Sequence, residues 1–357
     1  MFLGAQSLRS SPEGVLHDEV IVLAVLWKGN EKGMKVLVTG VAGFIGSNLA
    51  SRLLSEGCEV LGIDNLAYGL RESIPEGVDF HCQDIRDKNI YPLFEGVDTV
   101  YHLAAKNCIT DCQADPVETA EINVSGTVNV FEAGRRTGVR KVVYAESSSL
   151  YEGSALFPTP ESEVKPESFY AVSKLACMFF AEAYRRFYGS GVYYRPSHLT
   201  PHGLSFTALR YFCVYGPVQD YRRTIPPVMS GFIIKLLKGE RPIIYGSGEK
   251  RRDFVYVDDV NDFHLMCIRD PRTDGKVFNI GSGINYSVRE ILDKISKMLG
   301  VGLDPIYKDD LQGEAQATLA DITKAKSLGW EPKTPLEVGL ERAIDYVRQE
   351  MKEGKIP

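Results

Sequence analysis

The chain has 357 residues, a formal net charge of −6, 44% apolar residues and 25% charged residues. That length holds two domains, or one large domain with an elaboration, and the acidic balance argues against a nucleic-acid partner or a basic membrane-binding patch. No run approaches the ~20 apolar residues of a membrane span. The seven cysteines form no paired framework, as expected of reduced thiols in a cytoplasmic protein.

Taken in chain order, residues 1–33 differ in character from the rest of the chain, and Met34 opens the run Met34-Lys35-Val36-Leu37-Val38-Thr39-Gly40. The expectation is that Met34 is the natural initiator and the leader an extension; an extra strand or hairpin is the alternative. Residues 35–39 then read as a strand. Gly40, Gly43 and Gly46 form the turn, and Ile45, Leu49 and Leu53, spaced by four, mark a helix. Further strands are expected at 60–64, 78–83, 98–104 and 141–145, with a long helix over 117–137. A helix over 170–188 and a strand over 204–212 come next. Strands alternating with helices predict an α/β fold with a doubly wound parallel sheet. After Tyr215-Gly216-Pro217 the pattern loosens, with helices expected over 228–238, 287–299 and 336–349. The predicted organisation is a dinucleotide-binding domain over 34–216, with 253–281 threading back to it. A smaller substrate lobe takes 217–252 and 282–350.

The glycine loop succeeds a strand and opens a helix, which is the context a pyrophosphate needs. Glycine lets the backbone approach closely, and the free N–H groups of the helix N-terminus attract an anion. Asp64 ends the second strand near the ~20-residue offset of a ribose-binding acid. A carboxylate there accepts from the 2′ and 3′ hydroxyls and repels a 2′-phosphate, which favours NAD over NADP. Asp84 and Ile85 are candidates to frame the adenine. Tyr170 and Lys174 lie four apart on one helix face. An ammonium beside a phenol favours the phenolate, and a serine of Ser147-Ser148-Ser149 is placed to share its substrate oxygen. The three serines alone also fit a plain polar loop; the combination points to proton transfer at a carbinol while a nicotinamide carries hydride. Arg252 is a candidate diphosphate clamp, with a surface ion pair as the other reading. His102 is expected to be structural. Cys108 and Cys112 have no second Cys/His cluster to complete a metal site.

These residues identify a resemblance. From 34 to about 347 the chain resembles the extended short-chain dehydrogenase/reductases, and within them the nucleotide-sugar 4-epimerases of the UDP-glucose/UDP-galactose kind. The matching segments include Thr39–Gly46, Tyr101–Ala105, Asn123–Asn129, Ser147–Tyr151, Tyr170–Lys174, Leu209–Pro217 and Arg252–Asp259. The resemblance implies Ser147, Tyr170 and Lys174 as the catalytic set. It implies NAD contacts at Gly40, Gly43, Phe44, Ile45, Gly46, Asp64, Asn65, Asp84, Ile85, Leu103, Ala104, Ala105, Asn123, Tyr170 and Lys174. Substrate contacts are implied at Ser148, Ser149, Cys213, Arg252 and Thr318. It further implies a UDP-linked sugar substrate and a homodimer built on the helices 117–137 and 170–188. Dehydratases and decarboxylases of the same scaffold place an acid after the central hydroxyl residue; Ser148-Ser149-Leu150-Tyr151 stands here instead, which favours epimerisation. Three departures stand out. Cys213 replaces an asparagine of the family pattern, Leu311 replaces a diphosphate-binding arginine, and 190–203 reads as an insertion carrying Arg195. Thr318, small where related epimerases carry tyrosine, leaves room for an N-acetyl or carboxylate group on the sugar.

Overall fold

A computed structural model describes residues 33–189, 203–223, 225–310 and 314–356. The expectations for the leader, for Arg195 and most of the insertion, and for Leu311 lie outside these residues. Strand β1 (Lys35–Thr39) leads through the glycine turn into α1 (Phe44–Ser55), followed by β2 (Glu59–Asp64), β3 (Asp79–Cys82) and β4 (Thr99–His102). The expected helix over 117–137 is a continuous coil of three kinds: an α-turn at Pro116–Thr119, a π-helical stretch at Ala120–Ser125, and α2 (Gly126–Thr137). Next come β5 (Lys141–Ser147), α3 (Phe169–Tyr188), β6 (Ser205–Tyr211) and β7 (Cys213–Tyr215).

The central sheet has seven parallel strands in the order β10-β6-β5-β4-β1-β2-β3, where β10 is Lys276–Ile280. The order reverses between β1 and β4, the crevice where doubly wound sheets bind ligands. β5 and β6 are in register along their whole length, so that Glu146 pairs with Arg210 and Ser147 with Tyr211. Apolar clusters cover both faces. One gathers Val36, Val38, Leu49, Leu53 and Phe263; the other Leu37, Ile63, Val100, Phe131 and Val142.

The remaining chain builds a smaller layer. α4 (Val228–Leu237), β8 (Ile243–Tyr245) and β9 (Arg251–Tyr256) precede α5 (Val257–Arg269), and after β10 come β11 (Asn285–Ser287), α6 (Val288–Leu299), β12 (Ile306–Lys308) and α7 (Leu336–Lys352). β9 lies between β11 and β7 in a three-stranded sheet, so it is α5 and β10 that return to the central sheet. Helix α5 was not legible in the sequence because three of its buried positions are polar: Asp259 is 3% exposed, Asn261 is 1% exposed and His264 is fully buried. They interrupt the apolar stripe that signals a helix. His264 is satisfied in the core, its carbonyl accepting from Tyr101 at 2.5 Å and its Nε2 meeting the Tyr211 hydroxyl at 2.6 Å. α6 is sharply bounded, with a Ser287/Glu290 capping box at its start and Gly300 in the left-handed region (φ 68°) at its end.

Candidate active site

A cavity of about 1000 Å³ runs from the C-terminal ends of β1, β2 and β4 to the start of β9. It is lined by all but one of the residues expected from the sequence.

At one end stands the glycine turn. Gly40 has φ +74°, and a Cβ there would lie 2.8 Å from the Ala104 nitrogen. At Gly46 a Cβ would come within 2.1 Å of the Gly40 carbonyl oxygen. Neither position accepts a side chain, and the backbone is left bare to a ligand. Asp64, buried at the end of β2, receives the Ala42 N–H at 3.1 Å and the Leu66 N–H at 2.8 Å. Burial raises its pKa and these two bonds work against that rise. A carboxylate has about four acceptor sites, so capacity remains on the cavity side. Asn65 donates to Asp84 at 2.9 Å. Asp84 also takes a forked pair of bonds from Arg86 at 2.9 and 2.8 Å, and the guanidinium holds its carboxyl down at about 2. The shape and chemistry of this end fit a dinucleotide: a bare turn at a helix start for the pyrophosphate and an acid for the ribose.

Asn123 is the exception. It is 1% exposed, accepts from the Lys106 N–H at 2.8 Å, and donates to the Lys106 carbonyl and to Ser173 Oγ, both at 2.9 Å. All of its donors and its acceptor serve protein groups. Asn123, presented by the widened π-helical turn, ties the 103–106 wall to α3 from behind and so supports that wall rather than lining the cavity. His102 is structural as expected. Its ring meets Thr39 at 2.8 Å and Thr127 at 2.9 Å, and burial pushes its pKa down to about 3.

In the middle of the cavity β5 ends at Ser147 and α3 brings Tyr170 and Lys174 opposite it. The Ser147 side chain works to favour the ionised form of the phenol, and the Lys174 Nζ donates to the Ala145 carbonyl at 3.0 Å while lying 5.9 Å from the Tyr170 ring centre. Two opposing influences act on the phenol. Burial pushes Tyr170 up to about 12, opposed chiefly by Ser147, and burial also lowers Lys174. Ser147 Oγ accepts from the Ser149 N–H at 3.1 Å, and Ser149 Oγ is a buried hydroxyl with no protein partner.

Two acids line this region that the sequence reading passed over. Glu146 is 2% exposed and locked by Arg210 Nε at 2.6 Å and the Tyr144 hydroxyl at 2.9 Å. Glu152 accepts from the Glu167 N–H, the Ser168 N–H and Ser168 Oγ at 3.1, 2.8 and 2.9 Å. Ser168 is itself the N-cap of α3, so Glu152 fixes the helix end that carries Tyr170. Its signal, a lone acid after Leu150-Tyr151, is not distinguishable from a surface acid in the sequence.

At the far end β9 presents Arg252, with Cys213 and Thr318 beside it. Asp253, fully buried, takes N–H bonds from Ser282, Gly283 and Ala320 at 2.6, 3.0 and 3.0 Å, which anchors the strand. Thr318 is fixed through its N–H to the Arg251 carbonyl at 3.0 Å. Burial pushes the Cys213 thiol up to about 11, so it stays a neutral thiol at pH 7. Lys106 and Lys250 also line the cavity, each buried and each paired with acids. Among the described residues no group of three or more His, Cys, Asp or Glu side chains is placed to hold a metal ion, and no helix is long and apolar enough to cross a membrane.

Residues 36–281 match the model of the NAD dependent epimerase/dehydratase family. Over 317 residues the chain is 35% identical to a putative UDP-glucose 4-epimerase of Methanocaldococcus jannaschii, covering 88% of this chain and 98% of that protein. The crystal structure of a UDP-glucose 4-epimerase from Thermotoga maritima with UDP-glucose superposes with a TM-score of 0.82 at 34% identity, covering 89% of this chain and all of that one. A UDP-glucuronic acid 4-epimerase from Bacillus cereus, solved with UDP-glucuronic acid and NAD, gives a TM-score of 0.78 at 29% identity, covering 88% and 99%.

Proposed function

This chain belongs to the NAD-dependent epimerase/dehydratase family, and on that premise we propose that it inverts C4 of a UDP-linked sugar through a transient 4-ketone. The observation that carries the reading is the meeting of Ser147, Tyr170 and Lys174 in one cavity with a dinucleotide cradle. Gly40, Gly43, Gly46 and Asp64 would hold the cofactor's pyrophosphate and ribose. Bound NAD would supply the hydride acceptor and donor and, when oxidised, a positive charge that would favour the ionised phenol.

The chain's own residues then handle the proton. Ser147 holds the 4-hydroxyl oxygen and Tyr170 Oη takes its proton as the C–H bond at C4 gives up its electron pair. The ketone turns to present its other face, and Tyr170 returns the proton to the oxygen once C4 has been reduced again. Lys174, anchored on the Ala145 carbonyl, supports the phenolate. Atoms and electrons balance over the cycle.

A dehydratase or decarboxylase reading needs a carboxylate free to move a second proton. Glu146 is locked by Arg210 and Tyr144, and Glu152 is committed to the start of α3, so epimerisation is favoured. A regulator that binds NAD without chemistry is disfavoured by the presence of Ser147, Tyr170 and Lys174 together in the lining of one cavity. Thr318, short and tied by its backbone, leaves room beside C2 or C6, so the substrate range includes N-acetylhexosamine or uronate forms. The exposed Phe169, Val172, Phe179, Phe180 and Phe187 of α3 and the exposed Val117 support a homodimer. Proton NMR of product mixtures from UDP-glucose, UDP-N-acetylglucosamine and UDP-glucuronate, with no cofactor added, should show a C4 epimer for at least one sugar. Release of carbon dioxide or of a 4-keto-6-deoxy sugar would move the assignment to the alternative chemistry. Strict preference for the plain hexose would remove the Thr318 argument.

A further inference from the structure

Two cations enter the cavity from the start of the middle strand of the small sheet. Lys250 immediately precedes β9 and Arg252 is the second residue within it, so the extended backbone turns both side chains to one face. Both line the cavity. Lys250 is only 5% exposed, a position lysine tolerates only when paired. Its ammonium is ion-paired with Asp310 and, at 3.0 Å, with Glu314. Arg252 shares Glu314 at 3.4 Å and gives its Nη1 to the Arg251 carbonyl at 3.0 Å. An ammonium has three N–H donors and a guanidinium five; the two acids and the carbonyl leave donors on each cation for a ligand. The two acids flank residues 311–313, where the sequence Leu311-Gln312-Gly313 offers no charge. A nucleotide sugar carries its two negative charges on the diphosphate, and this end of the cavity needs more than one cation to receive them.

We propose that Lys250 is the second diphosphate-binding cation of this chain, acting beside Arg252 and aimed by Asp310 and Glu314. The inference rests on the nucleotide-sugar reading and adds to it the residue that serves the phosphates in place of a cation at 311. Glu314 bridges both cations and keeps them apart at a fixed spacing. The ammonium is a point charge, so it adds affinity for the diphosphate without dictating its orientation, whereas Arg252 is built for forked contacts.

Titration of the NAD-loaded protein with UDP and with uridine tests this, because uridine shares the base and ribose but lacks the phosphates. Wild type should prefer UDP. Lys250→Gln should weaken UDP by about ten- to hundredfold, the range of a charge-assisted hydrogen bond, and leave uridine and the bound cofactor unchanged. Lys250→Arg should stay close to wild type. If the single variant folds poorly, Lys250→Gln combined with Asp310→Asn removes the lysine together with an acid it neutralises and should show the same selective loss. Unchanged UDP affinity in Lys250→Gln, or equal losses for UDP and uridine, would overturn the proposal while leaving the epimerase reading intact. A wild-type protein that does not distinguish UDP from uridine would overturn both.

Discussion

The two ends of the cavity hold their polar side chains differently. At the glycine-turn end Asp64 is bound by backbone N–H groups of Ala42 and Leu66, while Asp84 farther along is held by the Asn65 and Arg86 side chains. At the β9 end Lys250 and Arg252 are bound by the carboxylates of Asp310 and Glu314. Backbone partners are fixed by the fold and cannot be displaced by a ligand. Carboxylate partners are side chains that an incoming anion can compete with. The first arrangement suits a resident cofactor, the second a substrate that must enter and leave, and the catalytic trio lies between them on β5 and α3.

The sharpest test of that division is Tyr170→Phe. It should lower turnover by roughly a thousandfold or more, within the range of general acid–base catalysis, while the purified protein keeps its NAD absorbance. Loss of cofactor together with activity would mean that the trio is part of the cofactor cradle. A comparable free energy is expected in stability for Arg210→Met, which leaves Glu146 buried beside Ser147 without its partner. Breaking a buried pair from one side costs about 3–5 kcal/mol, read as a lowered midpoint of urea unfolding; an unchanged midpoint would show that Glu146 takes up a proton cheaply and that the pair does not fix β5 to β6.

A smaller effect is expected at the cofactor end. Gly46→Ala places a methyl group 2.1 Å from the Gly40 oxygen, and relief by backbone movement costs about 1–3 kcal/mol. The variant should copurify with less NAD and keep UDP affinity, which would separate the two ends; equal losses would show them coupled. The smallest effect concerns acid. His102 and His264 are buried with their pKa values lowered to about 3 from an ordinary 6.5, by burial in both cases. Between those values the unfolded chain binds more protons than the folded one. The stability these neutral imidazoles permit is therefore complete above pH 6.5 and declines as pH falls toward 3. Unfolding at pH 5 should take up about two more protons than at pH 7.5 from this source, and His264→Asn should remove close to one of them.

Much of the site was legible because its parts are local. The glycine spacing, the acid at the end of β2 and the four-residue step from Tyr170 to Lys174 are each read within one element or one turn, where periodicity alone fixes which side chains share a face. The parts that were missed depend on neighbours far away in the chain. The burial that pushes the Tyr170 phenol up comes from surrounding elements and not from its own helix turn. Asn123 meets Lys106 and Ser173, partners 17 and 50 positions away that no local pattern reveals.

The sequence by itself determined the α/β order, the glycine turn, the pairing of Ser147 with Tyr170 and Lys174, and the departures from the family pattern at Cys213 and Leu311. Tertiary structure alone decided what each charge is paired with. Glu146 meets Arg210 across 64 positions because β5 and β6 lie side by side in register, and Lys250 meets Glu314 across the same separation through the approach of a loop to β9. Helix and strand periods are set by the backbone and can be read from spacing; ion pairs between distant residues are set by strand register and loop path, which no local pattern encodes.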